Sequence, residues 1–268
     1  MDRALLVGIN KYPGAALNGC VNDVTDMARF LTAGRGFSSG NVRLLTDARA
    51  TTQGILDRLA WLVDGLKPGD RALFHYSGHG AQTATRNKAG EPDGLDEVIC
   101  PVDFDWTDRY MIRDKDFNRI FQAVPAGVEF VWISDSCHSA DLTKGFAMPR
   151  QPQHGSRYMP APADVQWRIE SARQLNQHAM TMKSAAVPLN VALVSGCQSD
   201  QTAADAFFLG RPNGALTYYL LSELKKSATV PLANVVYNVK TALRTAHYSQ
   251  VPGLEGAAAI MNKPFLVQ

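Results

Sequence analysis

Short apolar runs of strand-forming residues alternate with amphipathic stretches along most of this chain, and that alternation restricts its architecture more than any other property. The strand-type runs are Arg3–Asn10, Asn41–Thr46, Asp70–Tyr76, Gly127–Ser134 and Asn190–Ser195, with Phe265–Val267 a candidate for a short last strand. Between them, Asn22–Ala33 sets Val24, Met27, Ala28 and Leu31 at helical spacing. Thr51–Leu66 does the same with Ile55, Leu59, Leu62, Val63 and Leu66, and Lys67-Pro68-Gly69 ends it. Helical patterns also fill Asp114–Ala123, Asn213–Lys226 and Leu232–His247. Strands separated by helices imply right-handed crossovers, so the expected fold class is α/β: a mainly parallel sheet with helices on both faces. Reactive groups in such sheets gather beyond the carboxyl ends of the strands.

At 268 residues the chain suits a single domain, 1–268, with an insertion at about 140–190. Ala147–Ala163 is rich in proline and polar residues and reads as an exposed loop. Asp164–Lys183 then has the spacing of one amphipathic helix. The formal charge is +2 and the basic residues do not cluster, which gives no electrostatic footprint for nucleic acid. No apolar stretch is long enough to span a bilayer, and MDRALLVGIN enters a strand directly, so a cytoplasmic location is expected. Cys20, Cys100, Cys137 and Cys197 lie far apart with no CxxC pair and are read as reduced thiols, with no zinc.

The chemistry concentrates where strands end. FVWISDSCHSADL, residues 130–142, passes from buried strand to a knot of polar groups around Cys137. A cysteine attacks a carbonyl carbon as thiolate and needs a base or cation beside it. His79, at the end of another strand-type run, is the natural partner. His138 is adjacent in sequence, but neighbours on an extended chain point to opposite sides. The glycines Gly78 and Gly80 permit a tight turn, and the Gly80 and Cys137 N–H groups could together receive an oxyanion. Such a constellation suits cleavage of an amide or ester. Taken singly, each residue has a plainer reading: Cys137 as a packed thiol, Asp23 as a stabiliser of a helix start.

YSGHG at 76–80 and DSCHS at 135–139 resemble the paired signatures of metacaspases, the caspase-like cysteine peptidases of clan CD. ALNGCVNDV at 16–24, DGLDEVICPVD at 93–103 and SGCQSDQTAADA at 195–206 resemble three further segments of that family. The resemblance implies the caspase-hemoglobinase fold, a Cys137–His79 dyad, and cleavage after Arg or Lys. It also implies self-processing in the 140–190 loop, which holds Lys144, Arg150, Arg157, Arg168, Arg173 and Lys183. Asp23 and Asp135, both expected at strand-end loops near the nucleophile, could bracket a guanidinium. Cys20 and Ser77 match the family's remaining pocket positions. Many relatives bind Ca2+ through four acidic positions; here Asp96 and Asp114 fill two, and Arg113 and Lys144 stand at the others. Cations there oppose a hard dication that wants six to eight oxygen ligands; no cofactor is expected to be required for the chemistry, with activation by Ca2+ as the alternative. Protein or peptide substrates and a monomeric state follow from the same resemblance. The alternative is a caspase-like scaffold without turnover, acting as a binding or regulatory module.

Overall fold

A computed structural model describes residues 1–86, 94–138, 155–176, 190–198 and 201–267. The elements run β1 (Asp2–Gly8), α1 (Cys20–Gly34), β2 (Val42–Thr46), α2 (Thr52–Val63) and β3 (Arg71–Ser77). Next come β4 (Gly80–Ala84), β5 (Leu95–Ile99), β6 (Ile112–Arg113), α3 (Asp114–Phe121) and β7 (Glu129–Asp135). After β8 (Gly155–Ser156) and α4 (Ala163–Leu175) follow β9 (Val191–Ser195), β10 (Ala204–Phe208) and β11 (Arg211–Gly214). The chain closes with α5 (Ala215–Lys226), α6 (Leu232–Thr245), β12 (Gly253–Gly256) and α7 (Ala258–Met261).

Six strands form the main sheet in the order β12-β9-β7-β3-β1-β2. All pairings are parallel except that of β12 with β9. Alternate residues on each strand face opposite ways, and both faces are covered. Leu5, Val7, Phe74, Phe130 and Trp132 pack with Ile55, Leu59 and Leu62 of α2 and Phe117 and Phe121 of α3. Ala4, Leu6, Leu73, Val131, Ile133 and Val194 face Val24 and Met27 of α1, Leu216 and Leu220 of α5, and Val235 and Val239 of α6. Strands buried on two faces must be apolar throughout, and this is why their runs are continuous in the sequence.

The last strand needs correction. Phe265–Val267 is not a strand; Phe265 and Leu266 are buried against the helical layer, and the last strand is β12, Gly253–Gly256. β12 is an antiparallel edge strand with one neighbour, so it needs no apolar run. In the described part of Ala147–Ala163, most residues are exposed or half-buried, but the chain is seated against its neighbours. Gly155–Ser156 pairs with β10, and Arg157 is fully buried. The expected helix at Asp164–Lys183 ends at Leu175, and residues 177–189 lie outside the described residues. None of the described helices is long and apolar enough to cross a membrane.

Candidate active site

Parallel pairing aligns the ends of β3 and β7, with Ser77 directly opposite Asp135. His79 and Cys137 each follow two residues later, so topology carries both to one rim of the sheet. Cys137 is fully buried and His79 nearly so. The Gly80 glycine is sterically required: a Cβ there would run into the Cys137 carbonyl.

His79 is held from several sides. Its backbone N–H donates to the Tyr12 hydroxyl at 3.1 Å, and its carbonyl accepts from the Tyr76 hydroxyl at 2.7 Å. The Tyr12 ring meets the imidazole edge-on, centroids 4.7 Å apart. Nε2 lies 2.7 Å from the Ala15 carbonyl oxygen. A carbonyl only accepts, so Nε2 carries the proton and Nδ1 keeps the lone pair. Nδ1 is buried and has no hydrogen-bond partner among the described residues. Burial holds the His79 pKa below the ordinary imidazole value, partly offset by the Ala15 and Arg157 carbonyls. The ring is therefore a neutral base near pH 7.

The Cys137 sulfur accepts a hydrogen bond from the Ala203 N–H and lies 3.5 Å from the Cys197 sulfur. The hydrogen bond to Cys137, and then burial, push the Cys197 thiol well above its ordinary pKa. Cys197 thus stays protonated, and its thiol also reaches the Gln201 carbonyl oxygen at 3.3 Å as a donor. Neither neighbour of the Cys137 sulfur is signalled in the sequence, where Cys197 reads simply as a core thiol.

Arg157 fills this rim. Its carbonyl oxygen accepts from the Gly80 N–H at 2.9 Å and from the Cys137 N–H at 3.3 Å, the pair named above as an oxyanion cradle. Its main chain is held as a strand: Arg157 N–H donates to Ala203 O at 3.2 Å, and Ser156 and Gly155 pair antiparallel with Ala204 and Asp205. On the other side, Met159 N–H donates to Gly80 O at 2.8 Å.

The guanidinium enters a fully buried pocket at the N-terminal end of α1. One terminal nitrogen, Nη1, meets the Ser77 hydroxyl at 2.9 Å and Asp135 Oδ1 at 3.0 Å. The other, Nη2, meets Asp23 Oδ2 at 2.8 Å and Asp205 Oδ1 at 3.1 Å. Each carboxylate is fixed from behind. Asp23 accepts from Asn213 Nδ2 and from Gly214 N–H, both at 2.9 Å. Asp135 Oδ2 accepts from the Thr217 N–H at 3.0 Å and its hydroxyl at 2.7 Å. Asp23 is raised to about 7, chiefly by burial and also by Asp135, with Arg157 pulling it down. Its carboxylate thus faces the Arg157 guanidinium as well as the first turn of α1. Cys20, also buried at this end of α1, has its thiol raised by burial and is held neutral. The sequence does not single out Asp205, and it offers Arg157 only as one of several basic residues in the 140–190 loop, not as an occupant of this pocket. Asp205 lies within the quoted SGCQSDQTAADA segment, but nothing in its spacing ties it to Asp23.

Asp96, one of the two acidic positions that match the family's calcium set, faces cations. The Asp96 carboxylate, almost fully buried, is met by Lys115 Nζ at 2.5 Å and Arg113 Nε at 3.4 Å. Arg113 also pairs with Asp108. The negative charge is thus already matched by tethered cations, one of them Lys115 rather than Lys144. Lys144 lies outside the described residues. No cluster of three or more His, Cys, Asp or Glu side chains suited to a metal occurs among the described residues.

Comparison with known proteins agrees with this architecture. Residues 2–144 match the family described as metacaspase, peptidase C14 domain. Metacaspase-1 of Candida albicans is 33% identical over 96% of this chain and 65% of its own length. Metacaspase-1 of Cryptococcus neoformans is 32% identical over 95% of this chain and 62% of its own. The chain thus spans somewhat under two thirds of these relatives. A crystal structure of protein GSU0716 from Geobacter sulfurreducens superposes with a TM-score of 0.71 at 27% identity, covering 99% of this chain and 98% of that one.

Proposed function

Because this chain belongs to the metacaspase peptidase C14 family, we propose that it is a cysteine endopeptidase that cuts after Arg or Lys, and that its own Arg157–Tyr158 bond is a substrate. One observation carries the reading. Arg157 presents its carbonyl oxygen to two backbone N–H donors while its side chain is bracketed by carboxylates. A residue buried only for packing has no need of that double alignment.

The chemistry follows from the groups in place. The Cys137 thiolate attacks the Arg157 carbonyl carbon and a C–S bond forms. The carbonyl oxygen takes the negative charge and keeps its bonds from Gly80 and Cys137 N–H, which strengthen as charge develops. His79 Nδ1, having taken the thiol proton, delivers it to the Tyr158 nitrogen as the C–N bond breaks. Water, deprotonated by His79, then cleaves the thioester and leaves a carboxylate on Arg157. Other substrates would enter the same track once Arg157 has left it, adding a strand to β10 as Gly155–Ser156 does. Arg168 and Arg173 lie within α4, a poorer substrate conformation than an extended segment. The test is mass spectrometry of the wild-type chain and of Cys137→Ala after incubation, together with hydrolysis of peptides ending in Arg, Lys, Asn or Asp. Fragments divided between Arg157 and Tyr158 only in the wild type, with turnover of basic peptides, are expected. Intact chain and no turnover would instead favour a regulatory scaffold.

A further inference from the structure

Cys197 stands beside the nucleophile but has no part in the cleavage steps above. We infer that Cys137 and Cys197 are a redox modification site, joined by a peroxide into a reversible disulfide that silences the nucleophile and spares it deeper oxidation. The loss of turnover rests on the peptidase reading above; the linkage itself does not.

Topology brings the two thiols together. β7 and β9 pair in parallel with Ser134 opposite Ser195, and each strand delivers its cysteine just past that pair. The Gly196 N–H donates to the Ser134 carbonyl oxygen at 2.8 Å, which keeps the two strand ends side by side. Neighbouring strands lie about 4.8 Å apart, inside the limit of about 7 Å between Cα atoms that a disulfide tolerates. The sulfurs are 3.5 Å apart. A bond requires about 2.05 Å, a closure that small side-chain rotations supply. Ala203 and Tyr158 complete the apolar cluster around both sulfurs. Cys20 and Cys100 belong to a different cluster, under the other layer of the fold.

One peroxide balances the step. The Cys137 thiolate attacks a peroxide oxygen; an S–O bond forms, the O–O bond breaks, and hydroxide leaves and is protonated to water. The Cys197 sulfur then attacks the Cys137 sulfur. The S–S bond forms, the S–O bond breaks, and the oxygen departs as a second water with the Cys197 proton. The two sulfurs lose two electrons and the peroxide gains them. In the reduced site, the hydrogen bond to Cys137 is the first cause that raises the Cys197 thiol, ahead of burial. Oxidation of Cys137 removes that bond and so releases Cys197 to act as the resolving thiol. Cys137 is fully buried while the Arg157 carbonyl and Tyr158 cover it. Peroxide therefore reaches it when this segment lifts, the same event that admits other substrates.

The experiment treats full-length Arg157→Ala, whose covering segment has lost its anchor, and Arg157→Ala/Cys197→Ser with hydrogen peroxide. The chains are then alkylated under denaturing, non-reducing conditions and digested for mass spectrometry. In the chain that keeps Cys197, a linked pair of peptides carrying Cys137 and Cys197 is expected, with Cys20 and Cys100 alkylated. Without Cys197, sulfinic and sulfonic acid at Cys137 should accumulate about tenfold more. Dithiothreitol should return free Cys137, and with it hydrolysis of an arginine peptide, in the first chain. The Cys197→Ser chain should regain less than about a tenth of its own starting value, because those acids resist thiols. Equal over-oxidation of Cys137 with and without Cys197 overturns the assignment, as does peroxide treatment that leaves both thiols free. Melting curves of the untreated chains are recorded; should Cys197→Ser fail to fold, the linked peptides of the other chain decide alone. If no untreated chain hydrolyses the arginine peptide, the peptidase reading has failed separately, and the masses still decide the linkage.

Discussion

Arg157 and Cys137 meet through the backbone: the arginine carbonyl oxygen accepts the Cys137 amide hydrogen at 3.3 Å, so the nucleophile's own N–H polarises the bond its sulfur would attack. The chain therefore holds one of its own peptide bonds in the posture of a bound substrate. Arg157→Ala is expected to abolish cleavage at 157–158 and to remove any lag in hydrolysis of an added arginine peptide. Progress curves of freshly purified wild type and variant check this, and a lag of equal length in both would contradict it.

The Gly80 position has no room for a side chain, because a Cβ would strike the Cys137 carbonyl. Gly80→Ala should shift the Gly80 N–H away from the oxyanion position. The expected loss in kcat is about 100- to 1000-fold, the scale for deleting one oxyanion donor. KM should change little, since the pocket aspartates lie elsewhere. Steady-state kinetics with a melting curve separates this from unfolding.

Asp96 is already neutralised by Lys115 and Arg113. Hydrolysis of an arginine peptide is therefore expected to be the same in calcium and in chelator. Lys115→Ala, by contrast, should cost about 1 kcal/mol of stability, as for a partly exposed ion pair. Calcium titration of activity and denaturant melts of both chains give the two answers.

His75 offers a pH test of the core. It is fully buried, with Nε2 3.2 Å from the Thr217 hydroxyl, and burial lowers its pKa to about 3. The folded state thus refuses a proton that the unfolded chain accepts near the ordinary imidazole value of 6.5. Between those values the unfolded state binds more protons, so stability is complete above about 6.5 and falls as pH drops toward 3, by up to about 1.4 kcal/mol per pH unit. Asp23, raised to about 7, acts in the opposite sense between its unfolded value of 3.8 and 7, since the folded state there holds the extra proton. The wild type minus His75→Gln difference isolates the histidine. Its acid limb should be shallower in the variant; parallel curves would rule the effect out.

The central strands were legible because a parallel strand covered on both faces needs a continuous apolar middle, which Ala4–Val7, Ala72–Phe74, Phe130–Ile133 and Val191–Val194 supply. The site's strand-end residues were legible for a related reason: His79 and Cys137 interrupt those runs abruptly. β12 escaped notice because Gly253–Gly256 pairs at an edge, where backbone hydrogen bonds suffice. Arg157 escaped because its burial depends on partners 22 to 134 residues away, which local composition does not reveal. Proline-rich polar sequence does predict a lack of helix around it. It does not predict that one extended segment will be seated against β10.

Arg157 lies on the Cys137 side of the bond it would lose, joined to the nucleophile by the intervening residues 138–156. After scission its new carboxylate terminus would stay leashed to the cleft, at an effective concentration on the order of millimolar. Self-cutting and the onset of turnover on other proteins would then be separate events in time. The delay between them would be set by how long the leashed arginine lingers.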